Sequence, residues 1–194
     1  MKEPYWWYVL YVRTNTEHKV VDSFQKVYES KRLPYVLETF CPESERYYKD
    51  KQSQTIGKTY RKRPLFPGYV FIETNMPANA FQSVFFDAIN SSSDIIRLLR
   101  YGESGDIALQ QHERQRFEYL FRGNRCIEHS IGYIEGDKII ITGGPLIGME
   151  GNIKKINRHH RSAKIEIDMF NQKQLVDVTL EIVHKDKFIN GEGK

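Results

Sequence analysis

Cysteine is scarce in this chain: Cys41 and Cys126 are its only two, they lie far apart, and neither belongs to a CxxC pair. Their spacing argues against a thiolate metal site and fits a reducing compartment. Long apolar runs are also missing; none approaches the roughly 18 residues that a membrane-spanning helix takes. Met1-Lys-Glu-Pro-Tyr-Trp passes directly into a strand-like segment without the apolar core of a cleavable signal. The expectation is a soluble, cytoplasmic protein with no membrane partner. No paired carboxylates, metal-ligand cluster or nucleophile–base arrangement stands out, so no catalytic residue, metal or cofactor is expected. His159-His160 lacks a carboxylate or thiol at ligand spacing. Gly57-Lys58-Thr59 has Gln52 where a phosphate-binding loop needs glycine. A strong net charge is absent too: at +4 the chain is no polycation, so what matters is where its positive charges sit.

What is present is aromatic. With 12 Tyr and 11 Phe, aromatics reach 13%, which argues against disorder despite 28% charged residues. A chain of 194 residues can hold one domain or two small ones. Arg63-Pro-Leu-Phe-Pro-Gly-Tyr-Val-Phe-Ile72 sets two prolines and a glycine against a β-branched, aromatic run. The prolines fix φ and lack a donor, which suits the entry to a strand. Gly68 permits a sharp bend, and Tyr69 to Ile72 reads as a buried strand.

Tyr5 to Val12 reads as a strand covered on both faces. Thr14-x-x-Glu17 has the form of a capping box, and Val20, Val21, Phe24, Val27 and Tyr28 follow at helical spacing. Leu33-Pro34 closes that helix, and Val36 to Phe40 reads as a second strand. Glu43 to Arg63 is a charged, hairpin-like excursion with an expected mobile tip. Asn75 and Pro77 open a helix whose buried stripe is Phe81, Val84, Phe85, Ala88 and Ile89. A short strand in Asp94 to Tyr101 and a helix from Leu109 to Phe121 follow. This order predicts an α/β sandwich with a small, largely antiparallel sheet over residues 1–122.

Residues 123–132 read as a linker. Beyond them Lys138 to Thr142, Gly151 to Ile156, Ala163 to Phe170 and Gln174 to Val183 are short β-rich runs. Ala163, Ile165, Ile167 and Met169 alternate with polar residues, which predicts a small antiparallel barrel over 133–188 and an α+β chain overall. Within it Lys154, Lys155, Arg158, Arg161 and Lys164 place five positive charges in 11 residues with no acid between them. His159 and His160 add donors. With Asn157 to Ser162 as a loop these side chains form a basic prong, suited to phosphates, 2′-hydroxyls and a guanine edge. A charge-rich hairpin tip is otherwise simply solvated.

Two separated signatures carry a resemblance. One is Trp7-Tyr8-Val9 with Pro64-Leu-Phe-Pro-Gly-Tyr-Val-Phe-Ile72; the other is Gly136-Asp137-x-Ile-x-Ile-x-Gly143-Gly-Pro-Leu-x-Gly148-x-x-Gly151. In this order they resemble the NusG family of transcription elongation factors: an NGN domain, a linker and an SH3-like KOW barrel. Lys62-Arg-Pro-Leu-Phe-Pro-Gly and the basic prong look most like its specialised antiterminator paralogue, LoaP.

The resemblance implies a non-catalytic mechanism in which the NGN domain docks on the clamp helices of RNA polymerase and favours the pause-resistant enzyme. Carried over by motif, Phe66 and Tyr69 contact the clamp helices, and Trp7 and Tyr8 build or line the pocket. It also implies that the KOW domain binds a hairpin in the nascent RNA through Lys154, Lys155, Arg158, His159, His160, Arg161 and Lys164. In the general factor that domain instead binds a ribosomal protein or a termination factor. Upstream or non-template DNA is a further candidate partner for the basic excursion Arg46 to Arg63, and the protein is expected to be a monomer. One family member refolds its KOW domain into helices; the clean alternation here favours a barrel.

Overall fold

Trp6–Val12 forms β1, and its central residues are buried whichever face they point to, as an aromatic and β-branched run should be. The computed structural model describes residues 5–48 and 59–183. The tip of the charged excursion, with Gly57-Lys58, and residues 184–188 of the expected barrel lie outside the described residues. After β1 come α1 (Glu17–Lys31), β2 (Leu37–Phe40), β3 (Glu43–Tyr48), β4 (Thr59–Pro64), β5 (Tyr69–Thr74), α2 (Ala78–Ser91) and β6 (Ile95–Leu98). There follow α3 (Gln111–Phe121), β7 (Cys126–Ile127), β8 (Ser130–Glu135), β9 (Lys138–Gly143), β10 (Ile153–Asn157), β11 (Ser162–Met169) and β12 (Gln172–Ile182). The α+β class is as expected. The chain divides into two compact units, one drawn from Met1–Pro42, Phe66–Arg116 and Asp168–Gln172, the other from Glu43–Leu65, Phe117–Ile167 and Lys173–Lys194.

The first unit is built on an antiparallel sheet in the order β2-β5-β1-β6. Strand side chains alternate in direction. On one face Tyr8, Leu10, Val70 and Ile72 join Val20 and Phe24 of α1 and Phe81 and Phe85 of α2 in a single core. Tyr8 stacks on Phe81 with ring centroids 4.1 Å apart, and Phe24 stacks on Phe85 at 5.0 Å. On the other face Trp7 meets Phe40 and Phe71 edge-on at 5.5 and 6.1 Å. Burying each such side chain is worth about 1.5–3 kcal/mol, so both faces contribute to the sheet's stability.

Two local expectations are corrected here. α1 starts at Glu17 with Thr16 at its N-cap, so Thr14 caps nothing, and no side-chain cap bond forms. With the helix starting there, Glu17 stands at the first helical position instead of the third, and its buried carboxylate accepts from the Gly68 N–H at 2.7 Å. Pro77 stands at the N-cap of α2, while the Asn75 carboxamide oxygen accepts from the Val36 N–H at 2.8 Å.

In the second unit a sheet runs β10-β11-β12-β8-β9. β10–β11 and β8–β9 are antiparallel, whereas β12 and β8 pair in parallel, a departure from the all-antiparallel expectation. A short 3-10 turn, Glu150–Asn152, joins its far sides: Glu150 accepts from the Ile141 N–H of β9, and Asn152 donates to the Glu166 carbonyl of β11. Ile165, Ile167, Val178 and Leu180 are fully buried, as their period of two predicts.

The same unit holds a three-stranded sheet in the order β4-β3-β7. The described part of the charged excursion is therefore a regular antiparallel pair, β3 with β4. The stretch 123–132 carries β7 and the first residues of β8, with Cys126, Ile127 and Ser130 buried. β3 escapes a periodicity reading because tertiary bonds hold it. It pairs with β7, and its Glu45 carbonyl accepts from the Thr179 hydroxyl at 2.6 Å. Among the described residues no helix is long and apolar enough to cross a membrane.

Candidate functional site

In the first unit the Phe66–Gly68 turn is fastened to two neighbours. Its Gly68 carbonyl accepts from the Val12 N–H at the end of β1 at 2.8 Å, and its Gly68 N–H donates to Glu17 at the start of α1. Gly68 adopts φ +85°, and a Cβ there would lie 3.0 Å from the Val12 carbonyl oxygen, so the turn needs glycine on both counts. Trp7 and Tyr8 are wholly buried on opposite faces of the sheet. The Tyr8 hydroxyl donates to the Met76 carbonyl at 2.8 Å, and burial pushes its pKa well above the usual tyrosine value. Phe66 is only 4% exposed, with its ring 6.1 Å from both Phe71 and Tyr69.

Tyr69 is the one of the four that reaches solvent, being half-buried. The strand register sets it beside Tyr11 and sets Tyr11 beside Arg97. The two rings are 5.3 Å apart, and the Arg97 guanidinium lies 5.8 Å from the Tyr11 centroid. Burial, and to a lesser degree Tyr11, raise the Tyr69 pKa while Arg97 lowers it. Tyr11 and Arg97 were not singled out from sequence. Their neighbourhood follows only from the pairing of β6 with β1, which a linear reading does not contain.

In the second unit β10 and β11 are joined by the turn that carries the basic prong. The Asn157 carboxamide oxygen accepts from the His160 N–H at 3.1 Å, an Asx-type turn, and Arg161 closes it at φ +48°. Lys155 stands opposite Lys164 in the register. The acids missing from the local sequence are supplied by strand pairing. Lys154 meets Glu166 at 3.6 Å, Lys164 meets Asp177 at 3.1 Å, and Arg161 meets Glu181 at 3.5 Å. A hydrogen bond from Lys173, with Lys154 adding to it, holds the Glu166 carboxyl below the usual range. Lys155 and Arg158 are exposed and form no ion pair among the described residues. His159 and His160 are exposed, with their rings edge-on at 5.0 Å. Arg161 differs from its neighbours: its guanidinium lies 4.3 Å from the Tyr47 centroid and its carbonyl accepts from the Leu180 N–H at 2.9 Å. It is built into the unit and does not project from it.

The β3–β4 pair sorts its residues by face. Tyr47 and Tyr60 lie on one face, where Tyr60 stacks on His129 at 4.5 Å and His129 hydrogen-bonds to Glu45 through its backbone N–H and its Nδ1, each at 2.9 Å. Arg46, Tyr48, Arg61 and Arg63 take the opposite face, with Arg46 directly across from Arg61. The Arg61 and Arg63 guanidinium carbons lie 4.9 and 5.5 Å from the Tyr48 centroid, and Arg63 also donates to the Tyr48 hydroxyl. Burial lowers the Arg46 pKa, Asp177 opposes that, and Arg63 adds to it. Sequence showed the basic charge of this segment but not its collection on one face. Among the described residues no group of three or more His, Cys, Asp or Glu side chains could hold a metal.

The family model described as transcription termination factor NusG matches residues 5–118, more than half of the chain. A relative, the transcription termination/antitermination protein NusG of Borreliella burgdorferi, is 22% identical over 184 residues, spanning 92% of this chain and 97% of that one. Among solved structures, one described as domain interaction in Thermotoga maritima NusG aligns with TM-score 0.51 and 20% identity, covering 92% of this chain and 94% of that one. At that identity the structural likeness speaks for the fold alone, whereas the family match speaks for descent. The family is one of transcription factors and not of enzymes. This chain belongs to the NusG family of transcription termination and antitermination factors.

Proposed function

We propose that this protein is a cytoplasmic, monomeric elongation factor with antiterminator activity. It joins RNA polymerase through an NGN domain at residues 1–122 and reads a hairpin in the nascent transcript through a KOW domain at 133–188, in the manner of LoaP. The row Tyr69, Tyr11 and Arg97 offers amphipathic rings and a cation to the clamp helices, the composition that dominates interface energetics. Trp7 and Phe66 stiffen that surface from within. Trp7, Tyr8, Phe66 and Tyr69 thus divide into supports and one contact.

The observation that carries the RNA-reading half is the β10–β11 hairpin, which presents Lys155 and Arg158 without carboxylate partners among the described residues, beside two exposed histidines. A-form RNA is recognised through phosphates, 2′-hydroxyls and groove shape, for which such a prong suffices. The test is a mobility-shift titration of the full protein with a structured leader RNA. The variant K155A/R158A should weaken binding by about tenfold and flatten the salt dependence by roughly 1–2 in log–log slope, at about 0.9 per lost phosphate contact. Unchanged affinity would overturn the reading. Arg161→Ala is a poor probe, since it also removes the contacts to Glu181 and Tyr47.

A second reading has its own observation: three of the five prong cations are already engaged by acids. That is the state of a solvated surface on a general NusG factor, whose KOW domain meets a ribosomal protein or a termination factor. Capture of a ribosomal protein without RNA binding would favour it.

A further inference from the structure

We propose that Tyr47 of β3 is a positioning residue for the prong: it holds Arg161, and through it the end of the β10–β11 hairpin that presents Lys155 and Arg158. The inference rests on the RNA-reading proposal and deepens it, because it carries part of that site to a strand in the other half of the chain. Arg161 stands in the left-handed region at φ +48°, a conformation that suits glycine and that a long side chain adopts only where its surroundings impose it. Three contacts impose it here. The guanidinium lies 4.3 Å from the Tyr47 centroid and meets Glu181 at 3.5 Å, and the Arg161 carbonyl accepts from the Leu180 N–H at 2.9 Å. Its side chain thus ties the turn to β3 and β12, and its main chain ties it to β12 again.

Tyr47 is itself braced. It lies on the face of the β3–β4 pair opposite the arginines, edge-on to Tyr60 at 6.2 Å. Tyr60 stacks on His129 at 4.5 Å, and Glu45 holds His129. Burial and Glu181 raise the Tyr60 pKa while Arg161 lowers it, so these groups lie within one another's field. Within the turn itself the His160 N–H donates to the Asn157 carboxamide at 3.1 Å and the Arg161 N–H to the Arg158 carbonyl at 3.3 Å. Residues 157–160 are all exposed. Exposed backbone bonds of this kind open readily, and the anchor at Arg161 keeps the turn in one arrangement. A pre-ordered turn loses less entropy when it meets RNA. Lys155 and Arg158 then contact phosphates, whereas Arg161 and Tyr47 set where they stand.

The test uses the full chain, the structured leader RNA and Tyr47→Leu, which keeps apolar bulk but has no π face for the guanidinium. Tyr47→Leu should bind about tenfold more weakly, the cost of ordering roughly one further backbone residue on binding. Its log–log salt slope should match that of the wild type, because no phosphate contact is lost, whereas K155A/R158A lowers the slope. Tyr47→Phe keeps the ring and should restore wild-type affinity. Without RNA, amide exchange at His160 and Arg161 should quicken in Tyr47→Leu and not in Tyr47→Phe, while exchange at the buried Ile165 and Ile167 of β11 stays unchanged. Unchanged affinity of Tyr47→Leu for an RNA that the wild type binds overturns the inference. Affinity lost while exchange in the turn is unchanged would make Tyr47 a direct contact, and overturns it too. If the wild type does not bind the RNA, the RNA reading falls, and the exchange of His160 and Arg161 alone decides whether Tyr47 holds the turn.

Discussion

Position 68 requires glycine for two separate reasons, its left-handed φ of +85° and the 3.0 Å approach of any Cβ to the Val12 carbonyl. Gly68→Ala should therefore lower the unfolding free energy by about 1–3 kcal/mol, read from the shift in urea midpoint at constant m-value. Its partner makes a similar point. Glu17→Ala removes the acceptor of a buried N–H and should cost about 1–3 kcal/mol. Cys126 supplies a prediction in pH. Burial raises its thiol pKa from the ordinary 9.0 to about 11. The folded form thus holds its proton where the unfolded form has lost it. The stability this contributes is complete below pH 9 and falls as pH rises towards 11, by roughly 2–3 kcal/mol at 1.36 kcal/mol per pKa unit. Unfolding midpoints measured between pH 8 and 11 should decline, and Cys126→Ala should flatten that decline.

At the level of elements, strands with apolar alternation were legible, and so were helices with an apolar stripe. β1, β5, β11, α1 and α2 announce themselves through hydrophobic period. β3 and β4 do not, because their side chains are mostly charged or tyrosine and their pairing is fixed from outside, by β7 and by the Thr179 bond. The same limit applied to the candidate sites. Five clustered cations were visible in the prong, but the carboxylates of Glu166, Asp177 and Glu181 reach them through strand pairing and not through sequence proximity. Phe66 was carried over by motif as a contact residue, and its burial was not legible, since that depends on Phe71 in the following strand. The β12-to-β3 tie is testable. Thr179→Val keeps shape and removes the donor, so amide exchange in β3 and β4 should quicken locally, with a global loss of about 0.5–1.5 kcal/mol.

At the scale of the whole molecule, neither unit is a continuous stretch of chain. The second needs Glu43–Leu65 as well as the residues after Phe117. A fragment of residues 123–194 therefore lacks the strand that pairs with β7, and it uncovers Cys126 and Ile127. It should melt below the full chain in far-UV circular dichroism while keeping a β-type spectrum. Adding a peptide of residues 43–65 should raise its midpoint. Dominant helix in that fragment would contradict the β assignment of β8 to β12. The discontinuity also imposes a schedule on synthesis. Residues 43–65 are translated more than a hundred residues before the end of β12 at Ile182. At about 5–20 residues per second, the β3–β4 segment waits on the order of ten seconds for the last residues that tie it down, the Thr179 bond from β12 included. Its abundant charge keeps it soluble during that interval, and a synonymous change that slows translation past Phe117 would lengthen the wait.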